Sequence, residues 1–396
     1  MATNVREQPR ALEKKPLAKP LVATTFLLRN ARKTTPLVAV IVLAVMLISG
    51  IVSMINSIPL SIRTIYSYSK QMLGVTPRGD PSQTPKIRQR IESEAPVPLD
   101  RVITCRASSA QVRSIVGKWP FIVIGLEQAD MQYYLDRMNA RSIEGRLPAA
   151  GAAEALISSP VARNLGLKIG DVLIGPDKDE AYSPKAVKLV GIAKTEEWVM
   201  LAPIEYHRAN HFPPIDLLMV FAKNLSDQQV LDSWALKAFK GERAQVFAYQ
   251  ELDKNTEEMF SILYKILNVV IGTLVLVITL MMAMLMNIYQ SQRLQEYGLL
   301  QALGYTKKQL LRRAMAESVV VVIGGWVIGL FVAYGLLNVV KAQLMDPQAF
   351  ALDTLDRVAF LYTVPVPIAI LLAAGLTVWG RFRKFDPVGV VERRLV

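Results

Sequence analysis

Few residues in this chain have the type and spacing that chemistry needs. It has only two histidines, His207 and His211, within EYHRANH. Four residues apart, they would share one helix face, and with Glu205 they could offer zinc a set of ligands. The metalloprotease spacing is missing, as is a general base, so the pair reads as polar surface histidines. The single cysteine, Cys105, lies in the strand-like run RVITC. It reads as a small buried residue rather than a nucleophile, and one cysteine rules out an internal disulfide. GVTPRGD, Gly74 to Asp80, has the glycine spacing of a phosphate-binding loop, but Asp80 stands where the lysine must be. No G-x-x-x-x-G-K-[ST], G-x-S-x-G or H-E-x-x-H occurs. The chain is therefore not expected to be an enzyme, and in particular cannot be its own Walker-type ATPase.

One stretch has a pattern that asks for shape rather than catalysis: QRLQEYGLLQALGYTKKQLLRR, Gln292 to Arg313, with five Lys/Arg and one Glu. Nothing between the preceding apolar run and Glu296 breaks a helix, so that helix should continue through Arg293 and Glu296. Gly304 offers a stop. Thr306 and Gln309 have capping-box spacing, which predicts a new helix from Lys307. The expected object is helix, sharp break, helix: a rigid elbow. Leu299, Leu300 and Leu303 cluster near the break. They would either pack on the second helix through Leu310 and Leu311 or dock into a partner's groove. Glu317 follows Arg313 by one turn, which suits an ion pair or a headgroup contact, and a role in transmitting motion is the alternative.

The elements that hold this elbow are long and apolar. Hydrophobic residues make up 52% of the 396, concentrated in four runs: Pro36 to Ile58, Ile266 to Tyr289, Ser318 to Val340 and Val358 to Trp379. Each meets the roughly 20 residues a membrane helix needs. Pro365 and Pro367 should kink the last run or displace its start. The first run lies too far from Met1 for a cleaved signal peptide and reads as a retained anchor. The three short basic segments, 1–35, 290–315 and the tail after Trp379, together hold 18 Lys/Arg and 5 Asp/Glu. Residues 59–259 hold 25 and 24, so the net charge of +13 falls where four spans would put one side of the membrane. Those short segments should be cytoplasmic. The charge is topological and gives no reason to invoke nucleic acid.

The expected fold class is an α-helical polytopic membrane protein, with four transmembrane helices and a large α+β extracytoplasmic domain between helices 1 and 2. Its segments are a cytoplasmic basic N-terminal segment with a partly amphipathic helix (1–35), a first span (36–58), the α+β domain in two subdomains (59–259) and a second span (260–289). The elbow (290–315), a third span (316–340), a short extracytoplasmic loop (341–357), a fourth span (358–379) and a cytoplasmic tail (380–396) follow. In the large domain, MLGVTPRGDPSQTPK reads as a linker. RVITC, FIVIGL, EALIS, DVLIG, AVKLVGIA, LLMVFA and AQVFAY read as strands, and ADMQYYLDRMN and SDQQVLDSWALKAF as helices. A short helix should end at Gly166, with a Gly170–Asp171 turn into a strand. Met281, Met282, Met284 and Met286 of the second span read as adaptable packing residues, with a substrate-facing role as the alternative.

EYGLLQALGYTKKQLLRRAMAES resembles the signature of FtsX/MacB-type ABC transporter permeases, whose second and third spans are joined by E-I-G-I-L-R-A-L-G, a basic stretch and E-[SA]. Glu296, Gly298, Leu300, Ala302, Leu303, Gly304, Glu317 and Ser318 match in register. Tyr297 replaces an aliphatic residue, and Gln301 the usual Arg. LLRNARKTTPLVAVIVLAVMLISGI is similar to the family's lead into its first span, and DPVGVVERRLV to its tail. IEGRLPAAGAAEALISSPVARNLGLKIGDVLIG, with VKLVGIA and WVMLAPIEYHRA, resembles the MacB-like core domain. The resemblance implies a permease dimer, most simply of two copies of this chain, that binds two copies of an ABC ATPase subunit. ATP and Mg belong to that partner, and no cofactor is bound by this chain. It also implies that Glu296, Tyr297, Gly298, Leu299, Leu300, Gln301, Ala302, Leu303, Gly304, Tyr305 and Thr306 form the ATPase-coupling element, with Arg313 and Glu317 as transmission or pairing residues. The expected work is mechanotransmission in a bacterial inner membrane, exporting or extracting an amphiphile such as a lipid, lipoprotein, peptide or drug-like molecule. An extracytoplasmic adaptor or lipoprotein would be a further partner. The alternative is an FtsX-like regulator that activates an extracytoplasmic cell-wall hydrolase.

Overall fold

The computed structural model describes residues 31–383, apart from 180, 211 and 213–215. In chain order, the elements begin with α1 (Ala31–Ile65), β1 (Leu73–Pro77), α2 (Thr84–Glu94), β2 (Leu99–Ser114), β3 (Gly117–Leu126), α3 (Gln128–Arg137), β4 (Ile143–Gly145), β5 (Glu154–Ser158) and α4 (Ser159–Leu165). They continue with β6 (Val172–Ile174), β7 (Val187–Ala193), β8 (Met200–Pro203), α5 (Ile204–Ala209), β9 (Leu217–Ala222), α6 (Gln228–Ala238) and β10 (Ala244–Phe247). The last five are helices: α7 (Tyr249–Ser291), α8 (Leu294–Ala302), α9 (Lys307–Val340), α10 (Arg357–Thr363) and α11 (Pro365–Arg383). Residues 48–271 and 333–362 form one compact unit. The described parts of 1–47, 272–332 and 363–396 form the other.

Among the described residues, four helical stretches are long and apolar enough to cross a membrane: Thr34–Ile65, Tyr249–Ser291, Lys307–Gln348 and Arg357–Gly380. α7 has 43 residues, about 65 Å at the α-helical rise, roughly twice a hydrocarbon core. Its surplus turns carry Glu251, Asp253, Lys254, Glu257 and Glu258. The fourth stretch breaks where its prolines predict. α10 stops at Thr363 and α11 restarts at Pro365, whose missing N–H costs nothing in a first turn. In the second unit, α1 and α9 approach closely because α9 presents glycine. A Cβ on Gly329 would come within 2.8 Å of Val45 Cβ, and one on Gly325 within 3.1 Å of Ile41 Cβ.

The strands make one sheet in the order β10-β1-β9-β2-β3-β8-β5-β7-β4, with β6 on β7. β2 and β3 form a long hairpin closed at Ser114 and Gly117, the latter at φ +113. Along β2 the buried residues alternate, Ile103 and Cys105 on one phase and Ser108, Ala110 and Val112 on the other, so the buried phase changes between Cys105 and Ser108. Two cores flank the sheet. One gathers Phe121, Tyr134, Leu156, Trp198 and Phe221; the other gathers Val75, Ile91, Val220, Leu231 and Phe239. α4 closes on Gly166 at φ +70, where a left-handed residue ends a helix.

Two expectations need correction here. The supposed linker at Met72 to Lys86 contains β1, which pairs with β10 on one side and β9 on the other. Gly74 lets two strands close up: a Cβ there would lie 3.3 Å from Phe247 Cβ. His207 is not a surface residue but fully buried. Its Nδ1–H donates to the Pro203 carbonyl at 3.2 Å, and Ser108 Oγ donates to its Nε2 at 3.1 Å. Burial lowers its pKa and keeps it neutral. Gly125 on β3 makes the room, since a Cβ there would sit 2.6 Å from Nδ1. His211 lies outside the described residues. Among the described residues, no three His, Cys, Asp or Glu gather as a metal site would require.

Candidate functional site

The segment between α7 and α9 is an elbow, although its first break comes earlier than expected. α7 does not run on through Arg293 and Glu296. It ends at Ser291, and α8 starts separately at Leu294. Arg293, at φ −105 and ψ 3, has left the helical region and turns its side chain inward. The reason is electrostatic. Its guanidinium pairs with Glu317 of α9 and with Glu296 of α8, the latter at 3.0 Å. Arg313 joins the same carboxylates, at 3.1 Å to Glu317 and 3.5 Å to Glu296. A straight helix would carry Arg293 past this cluster.

The cluster balances two cations against two anions, and three of the four side chains are nearly sealed from solvent: Arg293 and Arg313 at 6% exposure and Glu317 at 1%. Glu296, at 36%, is the member that meets solvent. Burial alone would lower the pKa of Arg293, but its hydrogen bonds to Glu317 and Glu296 outweigh that and raise it, so it stays charged. The guanidinium also lies 5.0 Å from the Tyr297 ring centroid, within cation–π range. The Tyr297 hydroxyl donates to Gln290 Oε1 at 2.8 Å, and burial raises its pKa. Tyr297, the aromatic replacement in the motif, thus caps the cluster from the α8 side.

The second break follows the expected chemistry. Gly304 has φ +94. Its N–H donates to the Gln301 carbonyl at 3.0 Å, and the Tyr305 N–H to the Leu300 carbonyl at 3.1 Å. This pair of bonds is a Schellman closure. The Gln309 side chain accepts from the Thr306 N–H at 2.9 Å, and Thr306 Oγ1 accepts from the Gln309 N–H at 3.3 Å. These reciprocal bonds complete the capping box that starts α9 at Lys307.

The three leucines divide. Leu300 packs with Tyr305 into a small core of Tyr297, Leu310, Ala314 and Val378. Leu299 and Leu303 point outward, 66% and 76% exposed. Gly298 is buried within α8, and Ala302 is its last residue. The methionines of α7 divide as well: Met282 and Met286 are buried, Met281 and Met284 exposed. The residue that sequence reasoning undervalued is Arg293. The signal available for it was its position three residues before Glu296, a spacing that allows a pair across one turn.

Residues 268–387 match the family model of the FtsX-like permease C-terminal domain. That segment resembles the C-terminal domain of FtsX-like permeases. The matched segment contains both breaks of the elbow, the charge cluster and the apolar stretches of α9 and α11. The match, with the four long apolar helices, supports a membrane protein of the permease kind. No curated protein matches the sequence. Solved structures similar to the chain include the periplasmic region of MacB from Actinobacillus actinomycetemcomitans, at 8% identity, 47% of this chain, 92% of that one and TM-score 0.28. Another is the extracellular domain of the noncanonic ABC-type transporter YknZ from Gram-positive bacteria, at 10% identity, 44% and 99% coverage and TM-score 0.26. A third is a domain of a putative permease protein from Porphyromonas gingivalis, at 15% identity, 45% and 89% coverage and TM-score 0.23. At those TM-scores the likenesses carry no inference about this chain.

Proposed function

We propose that this chain is the membrane subunit of an ABC transporter and that α8, with the two breaks beside it, is the element seated on a separate ATPase. In this reading the elbow and both termini face the cytoplasm of a bacterial inner membrane. The sheet-bearing unit stands outside, and two copies of the chain bind two ATPase subunits that hold the ATP and Mg. The observation that carries the reading is the elbow itself. A connection that only joined two spans would need neither a Schellman closure, a capping box nor a buried ion cluster, and would not leave Leu299 and Leu303 facing water. Exposed leucines on a short, rigid support suit insertion into an apolar groove. Closure of the ATPase pair would press on α8, and the ion cluster would pass that displacement to α9. Moving the outer domains would then expel or extract an amphiphile, alone or through an extracytoplasmic adaptor.

The test is co-purification. The chain should leave the membrane as a two-plus-two complex when co-expressed with the ATPase encoded beside it. Leu299→Asp with Leu303→Asp should abolish that capture without lowering the chain's own melting temperature, since both positions are exposed. Capture by the double variant, or no capture by the unaltered chain, would overturn the assignment.

A further inference from the structure

We infer that a cleft in the sheet-bearing unit holds one acyl chain of a membrane lipid, which deepens the proposed function and rests on its placement of that unit outside the membrane. The cleft has a volume of about 500 Å³ and lies between the segment after α1, the strands β1, β2 and β3, and the start of α7. Its walls include Tyr68, Met72, Phe121, Ile122, Phe247 and Leu252, and none of its lining residues is Lys, Arg, Asp, Glu or His. That sets it apart from another cleft of similar size, about 460 Å³, lined by Arg78, Lys240, Glu242 and Glu251.

The Tyr66, Ser69 and Ser108 side chains in its walls are hydrogen-bonded within the protein. The Tyr66 hydroxyl donates to the Pro120 carbonyl at 3.0 Å and accepts from Trp119 Nε1 at 3.0 Å. Ser69 Oγ donates to the Tyr66 carbonyl at 2.7 Å, and Ser108 Oγ bonds His207. A ligand must therefore bring apolar surface and no charge into the cleft. Its size falls within the few hundred to a thousand Å³ usual for small-molecule sites.

Position narrows the ligand further. Tyr66 follows Ile58, the end of the first apolar run, by eight residues, about 12 Å of helix. The cleft thus stands just beyond the headgroup layer, where a lipid partly lifted from the leaflet would expose a chain to water. Sheltering that chain lowers the cost of lifting it. Carriage in the wall of each protomer needs no polar channel through the spans.

The test uses the full-length chain, without ATPase, in nanodiscs of phosphatidylethanolamine and phosphatidylglycerol. These contain a trace of phosphatidylglycerol with a diazirine on one acyl chain. After irradiation, peptide mapping should find label on peptides carrying Met72 or residues 120–122, besides the apolar helices. Ala107→Trp and Ile122→Trp fill the cleft and should reduce that label at least five-fold while leaving helix label unchanged. Ser109→Trp, on an exposed wall position, should do the same without touching the core. Val116→Trp, at the exposed hairpin tip, should change nothing. Label confined to the helices, or sheet label that persists in the filled variants, would overturn the inference. Neither result bears on ATPase capture, so the two readings fail separately.

Discussion

Replacing Glu317 by Gln would keep the shape of the ion cluster and remove its one fully buried anion. Arg293 and Arg313 would then share only Glu296, leaving one positive charge uncompensated in a site where both guanidinium side chains are 6% exposed. Breaking a buried pair from one side costs about 3–5 kcal/mol. Glu296 remains within 3.0 and 3.5 Å of the two arginines, so the lower end, about 3 kcal/mol, is expected. Glu296→Gln removes a carboxylate that water already screens and should cost about 1 kcal/mol. In thermal melts of the purified chain in detergent, the first substitution should lower the midpoint by roughly 6–12 °C and the second by about 2–4 °C, at about 2–4 °C per kcal/mol for a chain of more than about 150 residues melting as one body. Adding Arg293→Gln to Glu317→Gln restores neutrality, and the cycle should return at least about 1 kcal/mol of coupling. Equal effects of the two single substitutions, or no recovery in the double, would refute the cluster as the clamp on the elbow.

Burial pushes the Asp232 carboxyl up to about 7, against the Gln228 hydrogen bond that lowers it. The unfolded chain titrates that group near pH ~3.9, so between roughly pH 4 and 7 the native state keeps a proton the unfolded one has lost. Stability of the sheet-bearing unit should therefore fall as pH rises through that window, and Asp232→Asn should raise its melting point at pH 8 but not at pH 4, read by Trp234 fluorescence. Gly329→Ala would bring a Cβ within 2.8 Å of Val45 Cβ and should cost about 1–3 kcal/mol by overpacking, whereas Gly324→Ala, with open space around it, should gain up to about 1 kcal/mol; the same melts decide both. Gly304→Ala meets no neighbour, yet φ +94 should cost it about 1–2 kcal/mol, visible as faster amide exchange at Tyr305.

The long apolar helices and the strands of the sheet could be read from the sequence because each follows one dominant rule: a span needs length, and EALIS or LLMVFA needs only a continuous apolar run. β1 escaped that rule. Its Gly74 and Pro77 are turn residues by type, and only the presence of a strand on each side explains why they serve in a sheet. His207 escaped for a related reason. A histidine two residues from a Glu and next to an Arg looks solvated, and its burial depends on Gly125, some eighty residues earlier, leaving a hole of the right size. In both cases the deciding fact is a glycine facing a residue distant in sequence, Gly74 against Phe247 and Gly125 against His207, which periodicity cannot register.

The elbow divides along the same line. Gly304, Thr306 and Gln309 act within a few residues of one another, so their roles follow from local spacing. Arg293 acts across 24 residues, and no helix-breaking residue marks the place where α7 ends. Between Ile288 and Glu296 the helix is stopped by a charge, because Arg293 turns inward to give Glu317 and Glu296 a second cation beside Arg313. An arginine that ends a helix by being drawn elsewhere also makes the break conditional. The kink at Arg293 persists only while the Glu317 side chain is there to pair with it, whereas the kink at Gly304 is written into the backbone. If α8 is the part that an ATPase moves, the Arg293 side is where it can hinge and the Gly304 side is where it stays rigid. Glu317→Gln should therefore loosen α8 at its first turn and leave the Schellman closure protected from exchange.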